Sequence, residues 1–256
     1  ASVALGLLPF LALLIVYIIS SDARLDINPN DKLLPSFGQM GDAIQRMAFE
    51  PSRRTGEYLF WQDTLSSLKR LGMGVAIAAF LGLTIGMLTG AIPLATSGFS
   101  PLLTVISLVP ALALLPVLFI VFGLGEVSKV ALIVIGITPM IAREVQRRTQ
   151  EIQPEQIIKA QTLGASSSQI MFRILLPQLL PKLIDAVRLS MGAGWLFLIS
   201  AEAIASTDGL GYRIFLVRRY LSMDVILPYV AWITLLAFAL DFLLRYSSRR
   251  LFPWHR

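Results

Sequence analysis

Long apolar stretches alternate with short charged ones along this chain. A helix needs about 20 apolar residues to cross a bilayer core of about 30 Å. Six stretches come close to that length and predict transmembrane helices at 2–20, 71–93, 102–123, 127–142, 183–205 and 225–244. The pattern therefore predicts an all-α integral membrane protein in which residues 1–256 form a single transmembrane domain.

The composition supports a membrane protein. Hydrophobic residues make up 55% of the chain and charged residues 15%, whereas a soluble domain carries about 25% charged residues. The chain has no cysteine, and its one histidine is His255, which argues against thiolate or histidine metal sites and against histidine-based catalysis. We expect the net charge of +6 to set orientation and to contact lipid headgroups, and we expect no nucleic-acid partner.

The first apolar run, 3–19, has some features of a signal peptide. No small-residue cleavage site follows it, and five more predicted spans do, so we interpret it as an anchored helix. The chain begins with Ala1 rather than Met, and we therefore expect a preceding segment in the full protein.

Lysine and arginine predict the orientation. Six basic residues lie between the fourth and fifth predicted helices, namely Arg143, Arg147, Arg148, Lys159, Arg173 and Lys182, and further arginines fill the tail after 244. Positively charged segments stay in the cytoplasm, so 148–181 is predicted to be a cytoplasmic loop and 21–70 an external segment. The segment 206–224 also falls outside, although Arg213, Arg218 and Arg219 run against the rule there.

Small residues and prolines interrupt the predicted helices. Gly82, Gly86 and Gly90 repeat at four-residue spacing, which allows two helices to approach closely. Packing within the subunit is the interpretation we favour, and a dimer face is the alternative. Pro110 and Pro116 predict kinks in the third helix.

The cytoplasmic loop has signals for two short helices. Pro154 can begin the first helix, and Gly164 can end it in a left-handed conformation. Ser166 and the two serines after it can cap a second helix, whose apolar face would be Ile170, Met171, Ile174 and Leu175. Pro177 and Pro181 are expected to end that helix before the fifth span. A short amphipathic helix held outside the membrane suits docking into a groove of a soluble partner.

Four segments of this chain resemble permease subunits of bacterial ABC importers. Gly164 is followed after nine residues by Ile174-Leu175-Leu176-Pro177, as in the coupling loop of that family. The family's Glu-Ala-Ala opening falls on 158–160, where only Ala160 matches. The segments FGLGEVSK (122–129), SAEAIASTDGLGYRI (200–214) and RRLFPWH (249–255) resemble permeases of the nitrate, sulfonate and taurine importer group. The resemblance extends over 60–255.

The resemblance implies a type I importer permease with about six transmembrane helices, in the bacterial inner (plasma) membrane. Its implied partners are a second permease subunit (a homodimer is expected), two ATPase subunits and an external or periplasmic solute-binding protein, besides membrane lipid. ATP and Mg²⁺ would be bound by the ATPase, in agreement with the absence of a phosphate-loop motif from this sequence. The chain itself would then carry no cofactor and catalyse no reaction. It would form an alternating-access pathway for a small anionic solute such as nitrate, a sulfonate or taurine.

Two groups of residues are candidates for function. The ATPase contact implied by the resemblance consists of Glu155, Lys159, Ala160, Leu163, Gly164, Ala165, Ser166, Ile174, Leu176 and Pro177. The pathway or outer gate candidates are Glu202, Ser206, Tyr212 and Arg213. Glu202 lies near the outer end of the fifth helix, and an acid at mid-bilayer costs on the order of 3 kcal/mol. Hydrogen bonding to serines or to loop backbone is the structural alternative for Glu202.

Other charged residues favour structural interpretations. Glu126 and Lys129 are spaced as a solvated surface pair in the turn between the third and fourth helices, with contact to the binding protein as the alternative. Asp241 and Arg245 have the favourable order for an ion pair one turn apart. Arg213 could steer an anion, bind the docking protein or contact headgroups.

A secondary transporter and a membrane-embedded enzyme are the alternatives to an importer subunit. The first couples to ions through intramembrane acids and inverted repeats, and the sequence has few such acids and no matching halves. The second needs a concentrated set of catalytic side chains, which the sequence does not supply.

Overall fold

The computed structural model describes residues 2–28, 31–52 and 56–254, and within these ranges every regular element is helical. The helices are α1 (Ser2–Ile27), α2 (Phe37–Ala48), α3 (Leu59–Ala91), α4 (Pro93–Leu108), α5 (Leu115–Phe122), α6 (Glu126–Gln150), α7 (Pro154–Thr162), α8 (Ser167–Gln169), α9 (Leu176–Ala205), α10 (Leu210–Arg218) and α11 (Met223–Leu251). A 3₁₀ turn over Ala111–Leu114 precedes α5, and a π-helical segment over Ile170–Leu175 precedes α9. His255 lies outside the described residues.

Four helices in the described part of the chain are long and apolar enough to cross a membrane, and a bent helix pair raises the number to five. They are Leu8–Ile27, Leu59–Ala91, Ser167–Ala205 and Met223–Leu251. The predicted count of six is therefore not confirmed. The predicted span 127–142 lies within α6, which carries charged residues near both ends. The span predicted at 71–93 begins earlier, at Leu59.

The helix predicted at 102–123 with a kink at Pro110 is broken there instead. Helix α4 begins at Pro93 and ends at Leu108, and the helical stretch that follows turns away from it by 80°. Val109 has an extended backbone (φ −70°, ψ 121°) because a residue before proline avoids the helical region, and Pro110 has no N–H to continue the ladder. The apolar pattern did not predict that α4 begins at Pro93, because 93–101 contains hydroxyl residues, glycine and two prolines.

The expectation that Pro177 and Pro181 end a short helix before the fifth span is also wrong. Helix α9 begins at Leu176 and includes both prolines. The π-helical segment makes this possible, since the Leu176 N–H bonds to the Met171 carbonyl, five residues back. The Gln178 side chain donates to the Ile174 carbonyl at 3.0 Å, so this carbonyl of the π-helical segment has a hydrogen-bond partner.

The chain divides into two compact units. The first contains the chain up to Ser66 together with Thr207–Thr234, and the second contains Ser67–Ser206 with Leu235–Arg256. In the first unit, Tyr17 Oη donates to the Pro35 carbonyl at 2.6 Å and Ser21 Oγ to the Leu34 carbonyl at 2.9 Å. These bonds hold the segment before α2 against α1.

The second unit is built around α6. Its side chains Leu132, Ile133, Ile137, Ile141 and Val145 are 0–1% exposed, which explains why this helix can carry polar residues and still lie in the interior. One apolar cluster joins the 3₁₀ turn and α5 to α6 and α9, through Ala111, Leu115, Leu118, Leu132 and Ala201.

The glycines of α3 pack on α6 within the subunit. A Cβ added at Gly82 would lie 2.6 Å from Ile141 Cγ2, and one added at Gly86 would lie 2.6 Å from the Ala142 carbonyl oxygen. At Gly90 the nearest atom would be Thr149 Cβ, at 2.5 Å. Only glycine allows this approach, so the intrasubunit interpretation of the spacing is confirmed.

Candidate functional site

The segment after α6 presents an exposed helix. None of the nine residues of α7 is buried. Its N-terminal end has Pro154 in the first turn, and its C-terminal end is closed by Gly164, whose φ of +82° confirms the predicted left-handed conformation. The Gly164 N–H donates to the Gln161 carbonyl at 2.9 Å and the Ala165 N–H to the Ala160 carbonyl at 3.0 Å. The helix end is therefore closed by the backbone and needs no packing against the rest of the unit.

The second half of this segment is anchored. Ser166 forms a reciprocal capping box with Gln169, as its position in the sequence predicted for a helix start. Ile170 and Leu175 are buried, and Gln178 Nε2 on α9 donates to Gln156 Oε1 on α7 at 3.0 Å. Burial of Ile170 and Leu175 therefore anchors the second half, and the bond from Gln178 to Gln156 attaches α7 to α9.

The predicted ATPase-contact residues fall into two groups. Glu155, Lys159, Leu163, Gly164 and Ser166 are exposed. The remaining five are only half-buried, and they are Ala160, Ala165, Ile174, Leu176 and Pro177. The first group is freely available to a partner, whereas the second lies partly against the subunit itself.

A cluster of charged side chains is buried in the second unit, and we call it the Arg70 cluster. Arg70 Nη1 donates to Glu202 Oε1 at 2.8 Å, and their side chains are 3% and 0% exposed. The same guanidinium donates from Nε and Nη2 to the carboxylate oxygens of Glu126, at 2.6 and 2.8 Å. Ser67 Oγ lies 2.8 and 2.9 Å from the two oxygens of Glu202. Charges tolerate burial when they are paired and hydrogen-bonded in this way.

Lys129 completes the Arg70 cluster. Its Nζ donates to Glu126 Oε1 at 2.9 Å and to Ser206 Oγ at 3.1 Å. The prediction of a solvated surface pair is wrong for Lys129, because α6 buries it, although the Glu126 side chain stays 57% exposed. Glu202 has the serine hydrogen bonds that its structural alternative required, together with an arginine that the sequence interpretation did not include.

Arg70 and Ser67 are the residues that sequence reasoning missed. The second span was placed at 71–93, so both fell just before it. A usable signal was present, since Asp63, Ser67 and Arg70 recur at four and three residues and therefore share one face of α3. Polar residues on one face of a helix that is otherwise apolar indicate buried partners.

Asp63 is the centre of a buried polar site in the first unit. It is 0% exposed and accepts from the Gly209 N–H at 2.9 Å, from Arg213 Nε at 2.7 Å and from Tyr229 Oη at 3.2 Å. Arg213 is therefore largely enclosed with Asp63, with its side chain 12% exposed. Burial opposes the charge of Arg213, but its bonds to Asp63 outweigh burial and raise its pKa. Tyr212 is half-buried, with the Arg213 guanidinium 5.7 Å from its ring centre.

Asp241 pairs differently from the prediction. Arg188 Nε donates to Asp241 Oδ1 at 2.8 Å and Arg188 Nη2 to Asp241 Oδ2 at 3.2 Å. This two-point contact between a guanidinium and a carboxylate joins α9 to α11. Asp185 also accepts from Arg188, at 3.2 Å.

A polar cavity of 720 Å³ lies between α4 and α6, and we call it the α4–α6 groove. Helix α4 lines it with four hydroxyl residues, namely Thr96, Ser100, Thr104 and Ser107. Helix α6 lines it with Met140, Arg143, Glu144, Gln146, Arg147 and Gln150. A groove with these residues is far more polar than a surface that faces lipid. No group of acidic or histidine side chains in the described residues could hold a metal ion.

Comparison with known proteins gives consistent matches. A family model described as "binding-protein-dependent transport system inner membrane component" matches residues 78–253. The taurine transport system permease protein TauC of Escherichia coli K12 is 36% identical over 195 residues, which cover 76% of this chain and 71% of that protein. The putative aliphatic sulfonates transport permease protein SsuC of Bacillus subtilis 168 is 29% identical over 188 residues, which cover 73% of this chain and 68% of that protein.

The fold has a match among solved structures. A chain of the MetNI methionine ABC transporter in an inward-facing conformation matches with a TM-score of 0.64 and 20% identity, over 76% of this chain and 94% of that one. This likeness shows a shared fold.

Proposed function

Because the chain belongs to the family of binding-protein-dependent transport system inner membrane components, we propose that it forms the translocation pathway for a sulfonate or a related small oxyanion. It is the permease subunit of an ABC importer, a multi-pass inner-membrane transport component rather than an enzyme. Its family works with ATPase subunits and a substrate-binding protein, which decides against a secondary transporter. TauC and SsuC are named for taurine and aliphatic sulfonates, and these solutes share a sulfonate group.

The exposed helix α7 and the turn at Gly164 form the contact with the ATPase in this proposal. The observation that carries it is a helix without buried residues, closed by its own backbone and attached to α9 through Gln178 and Gln156. Leu163 is 81% exposed next to Gly164, and an exposed leucine on a short helix suits insertion into a groove of a partner. The loop 148–181 would then be cytoplasmic and the segment 21–70 external.

Movement of the ATPase would reach the membrane helices through α9. The helical stretch Ser167–Ala205 has 39 residues and begins beside the proposed contact. Helix α9 packs along α6 in the second unit, so displacement of its first turn moves the centre of that unit. Alternating access follows if ATP binding and hydrolysis, with Mg²⁺, take place in the partner ATPase and displace this turn.

We further propose a homodimer of permeases, two ATPase subunits and an external solute-binding protein. A polar α4–α6 groove that is open in one subunit supports a second copy, since such a surface needs water or protein in front of it inside a bilayer. Lipid contact is supported by α1, on which Phe10 and Leu13 are each 70% exposed.

Glu202 and Ser206 are proposed for the outer gate on the strength of their place in the Arg70 cluster, at the end of α9 that the topology puts outside. Tyr212 and Arg213 remain separate candidates within the first unit, with Arg213 acting through Asp63.

The coupling proposal is tested with Gly164→Pro. Proline cannot adopt a φ of +82° and has no N–H to donate to Gln161. We expect the variant to insert and to assemble. The coupling free energy between the ATPase and the permease should fall by about 1.4 kcal/mol or more, so that ATP-driven uptake in proteoliposomes falls at least about tenfold.

Gly56→Pro is the matched control, because Gly56 also has a positive φ (+72°) and also donates its N–H, to the Ser52 carbonyl. It lies in the segment proposed to be external, and we expect ATPase coupling to be unchanged. Wild-type uptake by the Gly164→Pro complex would reject the role of this segment.

A further inference from the structure

The α4–α6 groove has an imbalance of charge that points to an anionic ligand. Three ionisable side chains line it: Arg143, Glu144 and Arg147. Arg147 and Arg148 both pair with Glu144 and with Glu151, so these two arginines and two carboxylates are neutral together. Arg143 is exposed, and no carboxylate among the described residues pairs with it. One guanidinium therefore faces the groove with its charge unmatched.

One hydroxyl of α4 adds a donor to the same groove, because Thr96, Thr104 and Ser107 donate to backbone carbonyls. Thr96, Ser100, Thr104 and Ser107 are separated by four, four and three residues, so they form one stripe on α4. Ser100 Oγ accepts from Gln146 Nε2 at 2.5 Å, and the structure gives the Ser100 hydroxyl proton no acceptor within the described ranges. That hydroxyl can donate to a ligand in the groove. Thr104 and Ser107 donate to carbonyls of their own helix, which leaves their oxygens to accept from an ammonium or from water.

We propose that the α4–α6 groove binds the sulfonate group of the transported solute, with Arg143 as its charge partner and Ser100 as a hydrogen-bond donor. This rests on the proposed function and names the surface of the subunit that holds the solute. A sulfonate has three acceptor oxygens and one negative charge, which a guanidinium and a hydroxyl match. The cavity of 720 Å³ lies within the usual range of about 300–1,000 Å³ for small-molecule sites.

The same residues argue against lipid as the occupant. Nine of the ten residues that line the groove are polar or charged, and such a lining suits water or protein better than acyl chains. We therefore expect water in the part of the groove that a second subunit leaves open, and that part should be accessible to charged reagents.

The absence of cysteine provides a clean test. Thr104→Cys places a single thiol in the groove, and Ser97→Cys places one on the same helix, at an exposed residue that does not line the groove. Each variant, assembled in the complete transporter in proteoliposomes, is treated with two methanethiosulfonates of similar size, one bearing a sulfonate and one bearing a quaternary ammonium.

We expect the thiol at 104 to react about fivefold faster with the sulfonate reagent than with the cation once each rate is divided by its rate with a small free thiol. This ratio corresponds to roughly 1 kcal/mol, which is the difference between attracting an anion and repelling a cation at about 8 Å from one positive charge in water. Arg143→Gln should abolish the preference, Arg143→Lys should keep it, and millimolar taurine should slow the labelling. The thiol at 97 should show no preference for the anion.

Each outcome decides the proposal. Equal rates with both reagents, or a preference that survives Arg143→Gln, would overturn the anion site, as would a thiol at 104 that never reacts in a transporter that imports solute. If the labelling pattern holds but the wild-type complex imports no sulfonate, the groove binds anions and the proposed substrate class is wrong. The two failures are therefore distinguishable.

Discussion

Helix α6 has two faces of opposite character. On the face toward α3, the glycine stripe packs so closely that a methyl group at Gly86 would lie 2.6 Å from a backbone carbonyl. On the face toward α4, the same helix lines an open cavity of 720 Å³. Near its first turn, Lys129 is buried in the Arg70 cluster, while Arg143, four turns along, is exposed and unmatched. Within this one helix, the face toward α3 is closely packed and the face toward α4 is open.

The charges follow the same division. The Arg70 cluster contains two cations, Arg70 and Lys129, and two carboxylates, Glu126 and Glu202, so its charges balance, and all but Glu126 are buried. The α4–α6 groove keeps one positive charge in excess. Burial of a charge without a partner costs several kcal/mol of stability. A charge in an aqueous groove keeps its hydration, so it costs little and remains available to a ligand. The comparison teaches that burial requires balanced charge, whereas a charge on an open surface can stay unpaired and is available to the proposed anion.

Loss of a charge from the closed face should have the largest effect. Glu202→Gln keeps the side-chain volume but removes the carboxylate that Arg70 Nη1 contacts at 2.8 Å. We expect a loss of about 3–5 kcal/mol in the free energy of unfolding, because the buried guanidinium loses one of its compensating charges. The midpoint of thermal unfolding in detergent, together with uptake in proteoliposomes, measures it.

Glu126→Gln is the control, since its side chain is more than half exposed and the loss should be much smaller. Replacement of both Arg70 and Glu202 by methionine should recover most of the stability. An unfolding midpoint unchanged by Glu202→Gln would contradict the Arg70 cluster, and unchanged uptake would remove Glu202 from the outer gate.

The glycine contact should have the next largest effect. Gly86→Ala introduces a Cβ 2.6 Å from the Ala142 carbonyl oxygen, and we expect overpacking to cost about 1–3 kcal/mol. Gly72→Ala, on the same helix but with no atom within 4 Å of the added Cβ, should be neutral or gain up to about 1 kcal/mol from helix propensity. If both variants shift the unfolding midpoint equally, the close approach of α3 and α6 is not what stabilises this unit.

Charge removal on the open face should have the smallest effect on stability. We expect Arg143→Gln to change the free energy of unfolding by no more than about 0.5 kcal/mol, because this guanidinium lines the groove and has no carboxylate partner within the described residues. Arg147→Gln breaks exposed pairs with Glu144 and Glu151 and should cost about 0.3–0.5 kcal/mol, less in high salt. A loss of several kcal/mol from Arg143→Gln would place that residue in the core and not in the groove.

Much of the fold followed from local signals. Pro154, Gly164 and Ser166 act through their own backbone geometry, so the ends of α7 and the start of α8 could be predicted without a neighbour. The third helix was predicted incorrectly because an apolar run does not reveal whether a proline bends a helix or breaks it. The extended backbone of Val109 shows that the helix breaks before Pro110. The turn that follows packs against α6 and α9.

The candidate site was less predictable. The sequence indicated Glu202 as an unusual acid but not its partner, because Arg70 precedes it by 132 residues. Arg143 was interpreted only as an orientation signal, since its lack of a carboxylate partner depends on where Glu144 and the other acids lie in space.

The amino-acid sequence by itself determined that this protein lies in the membrane, that the segment after α6 contains a short helix closed by Gly164, and that the chain resembles importer permeases. Hydropathy, charge bias and backbone-specific residues act locally along the chain, so order and spacing suffice to interpret them. Only the tertiary structure decided that Lys129 is buried with Arg70, that the glycines of α3 contact α6, and that the hydroxyls of α4 face a groove. Those facts depend on which helices are neighbours, and packing between segments far apart in the chain determines that.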